Sequence, residues 1–314
     1  MLKNGVIYQR KGNNEIVYKC YGYRDIPNKL PINKTTSFPT ASAGKVFVAV
    51  GVLMLVEKGL LSLDTSIKDV IHYDLGNVDL TTTIFELLTH TSSVPNYFDE
   101  EVNSDYASLW EDYPNYKIRN SKMLLPLFIH KKSKPENRGK FVYNDSGFVL
   151  LGLVIEAITG KLFDQYIDEN IFRELCMNHT GYYELDRLPG NCANAYIKDI
   201  DGTLYTNIYS IDVKGTGAGG AFTNPLDIAL FWDGLVSGKL ITKKTLDNML
   251  SPKVETDNGY YGLGIWLTKD YIPHFVGVDP GVTFISSYNM KQNILTTIIS
   301  NTADNVFKVA KELS

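Results

Sequence analysis

The two ends of the chain alternate β-branched and aromatic residues with polar ones, whereas the middle repeats its apolar residues at helical spacing. Near the start, residues 5–10 and 15–23 read as strands, and Lys11-Gly12-Asn13-Asn14 between them reads as a hairpin turn. Near the end, residues 261–267, 275–278, 282–288 and 294–300 are four further strand candidates, separated by turn residues at short intervals that favour antiparallel order. Residues 305–313 read as a closing helix capped by Asp304. In between, residues 82–90, 146–159, 163–175, 225–235 and 243–250 carry helical periodicity. The stretch 97–116 is aromatic and acidic without a period, as a lid or an irregular wall would be. The pattern predicts a single α+β domain. Its antiparallel β-sheet is formed from both chain ends (residues 1–60 and 251–314) with flanking helices, and residues 61–250 form an inserted, mainly helical part. A cleft between the two parts is the expected ligand site.

The most apolar helix candidate is residues 46–56, interrupted only by Gly51. It is too short to span a bilayer, which takes about 20 apolar residues, so no membrane span is expected. Its apolar character on all sides predicts burial, and Glu57-Lys58-Gly59 ends it. Ser42-Ala43-Gly44-Lys45 opens it. A serine and a lysine three apart share one helical face. A serine hydroxyl needs a neighbouring base to become a nucleophile, and a desolvated lysine can be that base. The free N–H groups of a helix N-terminus suit an oxyanion. Together these features point to acyl transfer without histidine. On its own, the same tetrapeptide also fits a capping serine beside a solvated lysine.

Composition narrows the picture further. The 314 residues are 44% hydrophobic and 21% charged, with a net charge of −4. That is ordinary for a globular chain and leaves no polyanion-binding footprint, which argues against nucleic acid. Residues 131–140 form a basic run that reads as a solvated loop. Cys20, Cys176 and Cys192 are odd in number and widely spaced, and the five histidines show no metal spacing, so neither a disulfide framework nor a metal or other cofactor is expected. Residues 1–10 lack the apolar core of a secretory leader. As written the chain therefore reads as cytoplasmic, although a chain trimmed of its leader would read the same.

Other segments carry weaker signals. Tyr143-Asn144-Asp145 precedes a strong helix. A tyrosine beside a lysine ammonium is a workable general base, while Asp145 equally fits the cap of a helix starting at Ser146. Gly215-x-Gly217-x-x-Gly220 matches a dinucleotide fingerprint by its letters alone. The next helix opens only at Asn224-Pro225 and no acidic residue follows about 20 positions on, so a flexible glycine loop is expected. His90 falls at a helix end, where capping suits it. Thr40 stands where a nucleophile elbow around Ser42 would need glycine.

Taken in order, several segments resemble the serine β-lactamase-like hydrolases: class C β-lactamases, low-molecular-weight penicillin-binding proteins, D-amino-acid peptidases and related esterases. The segments are Gly22-Tyr23-Arg24-Asp25, residues 40–64, residues 87–95 (LLTHTSSVP), residues 139–145 (GKFVYND), residues 150–160 and residues 219–227. The resemblance implies a β-lactamase/transpeptidase-like fold and a serine hydrolase acting through an acyl-enzyme on an ester or amide of a small molecule or peptide. It implies Ser42 as nucleophile, Lys45 as its proton partner and Tyr143 as general base and acid. It implies an oxyanion hole made by the Ser42 N–H and one from the last strand motif. On the substrate side it implies Asp145, His274, Gly277 and Val278. The family's tyrosine motif usually ends in asparagine, where this chain has Asp145. Its third motif usually begins with lysine or histidine, where this chain has Phe275, with His274 one position early. A one-residue slip turns a strand side chain to the other face, so either a bulge returns His274 to the cleft or the cation is lost. Both departures disfavour an anionic substrate and favour an esterase or peptidase-like activity. A β-lactamase or D,D-carboxypeptidase, and a weakly catalytic ligand-binding or regulatory homologue, stand as alternatives. The sequence leaves the oligomeric state open.

Overall fold

The structure, a computed structural model, describes residues 2–99 and 105–313. Its main sheet has eight strands: β1 (Gly5–Lys11), β2 (Asn14–Tyr21), β3 (Val254–Thr256), β4 (Gly259–Tyr261), β5 (Trp266–Thr268), β6 (Pro273–Asp279), β7 (Val282–Asn289) and β8 (Ile294–Ser300). Their spatial order is β2-β1-β8-β7-β6-β5-β4-β3, and every neighbouring pair is antiparallel. The sheet is thus built from both chain ends, as the alternating pattern predicts, and β1 beside β8 is the seam that joins them.

Alternation assigns the two faces. On one, Phe275 stacks on Trp232 with ring centroids 5.3 Å apart, and the Trp232 indole N–H donates to the Ser286 hydroxyl at 2.9 Å. On the other, Ile7 and Ile298 meet Val306 and Val309. Between the sheet's halves in sequence come helices α1 (Lys45–Glu57), α2 (Ile84–Leu88), α3 (Asp145–Thr159), α4 (Phe163–Ile167), α5 (Pro225–Val236) and α6 (Lys243–Met249), and α7 (Val306–Leu313) closes the chain. Helix α1 is buried from Lys45 to Leu53 and packs on α3 and α4, as its unbroken apolar run requires. Among the described residues no single helix is long and apolar enough to cross a membrane.

Several boundaries differ from the sequence expectation. The strand expected over 261–267 is two strands, β4 and β5, joined by a tight reversal in which the Gly262 N–H bonds the Ile265 carbonyl. The helix expected over 163–175 stops at Ile167 and continues as a π-helical turn, Asp168–Phe172. Asp304 does not cap α7. Its carboxylate accepts the Lys3 and Asn4 backbone N–H groups, and Asn305 accepts the Lys308 N–H instead. The basic loop 131–140 is largely exposed. Of the aperiodic stretch 97–116, residues 100–104 lie outside the described residues; the described part forms irregular wall, with Tyr97, Phe98 and Trp110 buried.

Candidate active site

The turn carrying Ser42 is held from two sides. Phe38–Pro39 pairs with Phe222–Thr223, and the chain then enters a 3-10 turn, Ala41–Gly44, that runs straight into α1. Ala41 adopts φ +49°, a left-handed conformation that costs a side-chain-bearing residue roughly 1–2 kcal/mol. The surroundings hold it there. The Gly220 N–H donates to the Ala41 carbonyl and the Thr40 N–H to the Ala221 carbonyl. Two glycines allow the approach. A Cβ on Gly219, at φ +146°, would sit 2.4 Å from the Ala41 oxygen, and one on Gly277 of β6 would sit 2.1 Å from the Thr40 oxygen. The glycine loop expected to be flexible is instead mostly buried packing against the turn that carries Ser42.

Lys45 is 3% exposed. Its ammonium donates to Ser42 Oγ at 2.9 Å, to Asp145 Oδ1 at 2.6 Å and to the Ala218 carbonyl at 2.5 Å. Three acceptors match the three protons of an ammonium. Burial opposes that charge, but Asp145 and Tyr143 outweigh it and hold the lysine above its ordinary pKa. Tyr143 lies close by, with Lys45 Nζ 5.1 Å from its ring centroid. Burial pushes its phenol up to about 12, against the pull of Lys45 and of hydrogen bonds with Lys45 and Ser42. At neutral pH the resting site therefore holds a lysine ammonium and a neutral phenol.

The Tyr143–Asp145 segment is fixed by neighbours that are not adjacent in sequence. Asn144, not Asp145, caps α3. Its Oδ1 accepts the Gly147 N–H at 2.9 Å and its amide donates to the Val94 carbonyl at 2.6 Å. Asp145 is thereby released to face Lys45. Asn96 accepts the Asp145 and Ser146 N–H groups. His90 closes α2 through its backbone, at φ +56°, in the position a glycine usually takes. Its ring packs against Tyr143, with centroids 4.5 Å apart. Burial and the Lys45 charge hold the imidazole well below its ordinary pKa. Nδ1 accepts the Asn144 N–H, which assigns the proton to Nε2, facing the Tyr261 hydroxyl at 3.2 Å.

Ser42 lies on the wall of two cavities. One, of about 420 Å³, runs along Tyr97, Tyr106, Asp145, Asp212, the glycine loop and Asp279. The other, of about 310 Å³, lies between Tyr143, Trp266 and the β6 residues Val276, Gly277 and Val278. β5 pairs only with Pro273 and His274 of β6, so from Phe275 onward β6 has no strand partner on that side among the described residues. β6 pairs with β7 without a register break from His274 to Asp279. No bulge shifts His274, which lines neither cavity. Its Nδ1 faces the Ile272 carbonyl at 3.2 Å and burial lowers its pKa. Phe275 packs in the core against α5. The structure thus brings Ser42, Lys45, Tyr143, Asp145, Gly277 and Val278 together and leaves His274 aside. Among the described residues no group of three or more His, Cys, Asp or Glu is placed to hold a metal ion.

Sequence reasoning missed the Ala218 carbonyl, the buttressing imidazole of His90, the Asn96 side chain and Asp212. The first three depend on contacts between distant segments, and only the LLTHTSSVP resemblance marked the neighbourhood of His90 and Asn96. Nothing in the sequence singles out Asp212.

A family model described as Beta-lactamase matches residues 5–312. A penicillin-binding protein of Bacillus halodurans has a similar crystal structure, 35% identical, with a TM-score of 0.94 over 99% of this chain and 96% of that one. The putative penicillin-binding protein PbpX of Bacillus subtilis is 27% identical over 97% of this chain, which spans 70% of its length; a second relative from that organism is longer, the chain spanning 60% of it. A D-amino acid amidase of Ochrobactrum anthropi, 21% identical with a TM-score of 0.77 over 96% of this chain and 87% of that one, shares the fold.

Proposed function

Because this chain belongs to the Beta-lactamase family, we propose that Ser42 is the nucleophile of a serine hydrolase acting through an acyl-enzyme, with Lys45 and Tyr143 as its proton-transfer unit. The observation that carries this reading is the buried Lys45 ammonium shared between Ser42, Asp145 and Ala218 beside Tyr143. Once this unit loses one proton, it takes the Ser42 proton as Oγ bonds the substrate carbonyl carbon. Tyr143 then delivers that proton to the leaving alkoxide or amine as the ester or amide bond breaks. Water hydrolyses the acyl-enzyme by the reverse proton path. The free edge of β6 beside Ser42 offers backbone groups to an extended substrate.

The substrate class we favour is an ester or amide without a carboxylate near the scissile bond. Asp145, Asp212 and Asp279 line the larger cavity, and no lysine or arginine lines either cavity among the described residues. A β-lactam or D-Ala-D-Ala-type carboxylate would meet like charge there. The penicillin-binding names of two relatives favour the second reading, a D,D-peptidase or β-lactamase. Labelling with a fluorophosphonate probe, followed by p-nitrophenyl esters, D-amino-acid amides and a chromogenic cephalosporin, tests both. Covalent adduct at Ser42 with ester turnover supports the first reading, and efficient cephalosporin turnover supports the second. Failure of Ser42 to label at all overturns both.

A further inference from the structure

The larger cavity has an electrostatic character that the acyl-transfer chemistry does not require. Asp212 stands on its wall between the buried Ile211 and Val213, with no ion-pair partner among the described residues. Its carboxylate takes a hydrogen bond from its own backbone N–H, and burial pushes it up to about 7, with the Asp145 charge adding to the effect and Lys45 opposing it. Asp145 and Asp279 share the lining, and all three carboxylates act on the Tyr106 hydroxyl, which burial and their charges hold well above the ordinary phenol range. Asp145 is paired with the Lys45 ammonium at 2.6 Å. Tyr97, Phe98, Tyr106 and Tyr183 line the same space, beside aliphatic residues and the glycine loop.

A half-buried carboxylate without a cation is costly to keep ionised, and aromatic rings lining the same cavity attract cations over their faces. A ligand bringing a positive charge removes that cost, and a neutral ligand leaves it. Carboxylate and aromatic rings together, opening on the same nucleophile, match the recognition chemistry of an ammonium group.

Resting on the acyl-enzyme reading above, we propose that the larger cavity selects acyl groups carrying an ammonium charge, and that Asp212 is the residue that reads the charge. The substrates are then esters or amides of amino- or trimethylammonio-acyl groups. Asp212 touches the bound acyl chain and no bond that breaks, so it sets selectivity rather than rate.

The test separates binding from turnover. Trimethylammonio-alkanoyl primary amides with two to four methylenes, and their uncharged tert-butyl isosteres, are titrated calorimetrically into Ser42→Ala protein. At the best-fitting length the charged amide should bind at least about tenfold tighter than its isostere. Adding Asp212→Asn should bring the two within about twofold, and Asp212→Glu should restore much of the difference. Equal binding of the pair to Ser42→Ala protein overturns the proposal whether or not any Asp212 variant folds, as does discrimination that Asp212→Asn leaves unchanged. With wild-type protein, the corresponding p-nitrophenyl esters should show the same preference in kcat/KM. Absence of any Ser42 label or ester turnover would sink the hydrolase reading, while the binding comparison would still decide the role of Asp212.

Discussion

Lys45 is saturated with acceptors, and under the proposed mechanism that sets the pH at which Ser42 becomes reactive. Asp145 and Tyr143 raise its pKa against burial, and Tyr143 titrates only at about 12. A base therefore accumulates only on the alkaline side. For a neutral ester, kcat/KM should climb through the alkaline range in the wild type. Asp145→Asn removes the negative charge, lets burial dominate and lowers the lysine pKa, so the climb should move to lower pH. The same substitution should favour an anionic β-lactam over the neutral ester in acylation rate. An unchanged profile and an unchanged substrate ratio would reduce Asp145 to a structural partner. Ser42→Ala should abolish labelling and lower turnover by roughly 10⁶-fold. Lys45→Ala, Tyr143→Phe and the double variant should be comparably inactive if the two form the proposed proton-transfer unit, whose members are not additive. Additive losses in single-turnover rates would separate them. At this scale the sequence was informative where geometry is local: Ser42 and Lys45 meet because helical spacing makes them meet. It left open whether Asn144 or Asp145 caps α3, since both residue types cap well, and only the approach of α1 decides.

At the scale of elements, β6 and the glycine loop set the position of the turn that carries Ser42. Gly277→Ala places a methyl carbon against the Thr40 carbonyl, where backbone and not a yielding side chain is the obstacle. The turn or the strand must shift. A displacement of about 1 Å at a reacting atom can cost about a hundredfold in rate. We expect that loss in kcat/KM, with thermal unfolding still cooperative. Wild-type activity in the variant would show that the turn is not clamped as described. Asn144→Ala should cost about 1 kcal/mol in denaturant unfolding through the lost cap, and should also lower kcat because Tyr143 precedes the cap directly. Asn144→Asp should keep the cap but not the stability, because a carboxylate cannot donate to the Val94 carbonyl. Most strand and helix cores were legible from pattern, α1 from its unbroken apolar run, but the short edge strand β3 was not expected. The misread boundaries fall where tertiary contacts overrule local preference, at the reversal between β4 and β5 and the π-helical turn after α4.

Across the whole molecule, the sheet unites the first strand with the last. Val6 of β1 is 1% exposed and pairs across the seam with Ile299. Val6→Asp should cost more than about 4 kcal/mol by burying an unpaired charge. It should remove the thermal transition and the Ser42 label together. Loss of either alone would mean that the sheet and the site fold independently. This dependence was readable in outline, because two terminal blocks of strand pattern have no sheet partner elsewhere. The order of strands within the sheet was not, since alternation assigns faces and not neighbours. The seam also bears on biosynthesis. Ser42 leaves the ribosome long before β6, and its turn gains the support of β6 and a completed sheet only after residue 300 has emerged. A nascent chain would therefore carry an unreactive serine until the strands β6, β7 and β8 have emerged. Stalled chains ending at residue 250 should resist the fluorophosphonate probe, and chains carried to residue 314 and held past the exit tunnel by a linker should take it up.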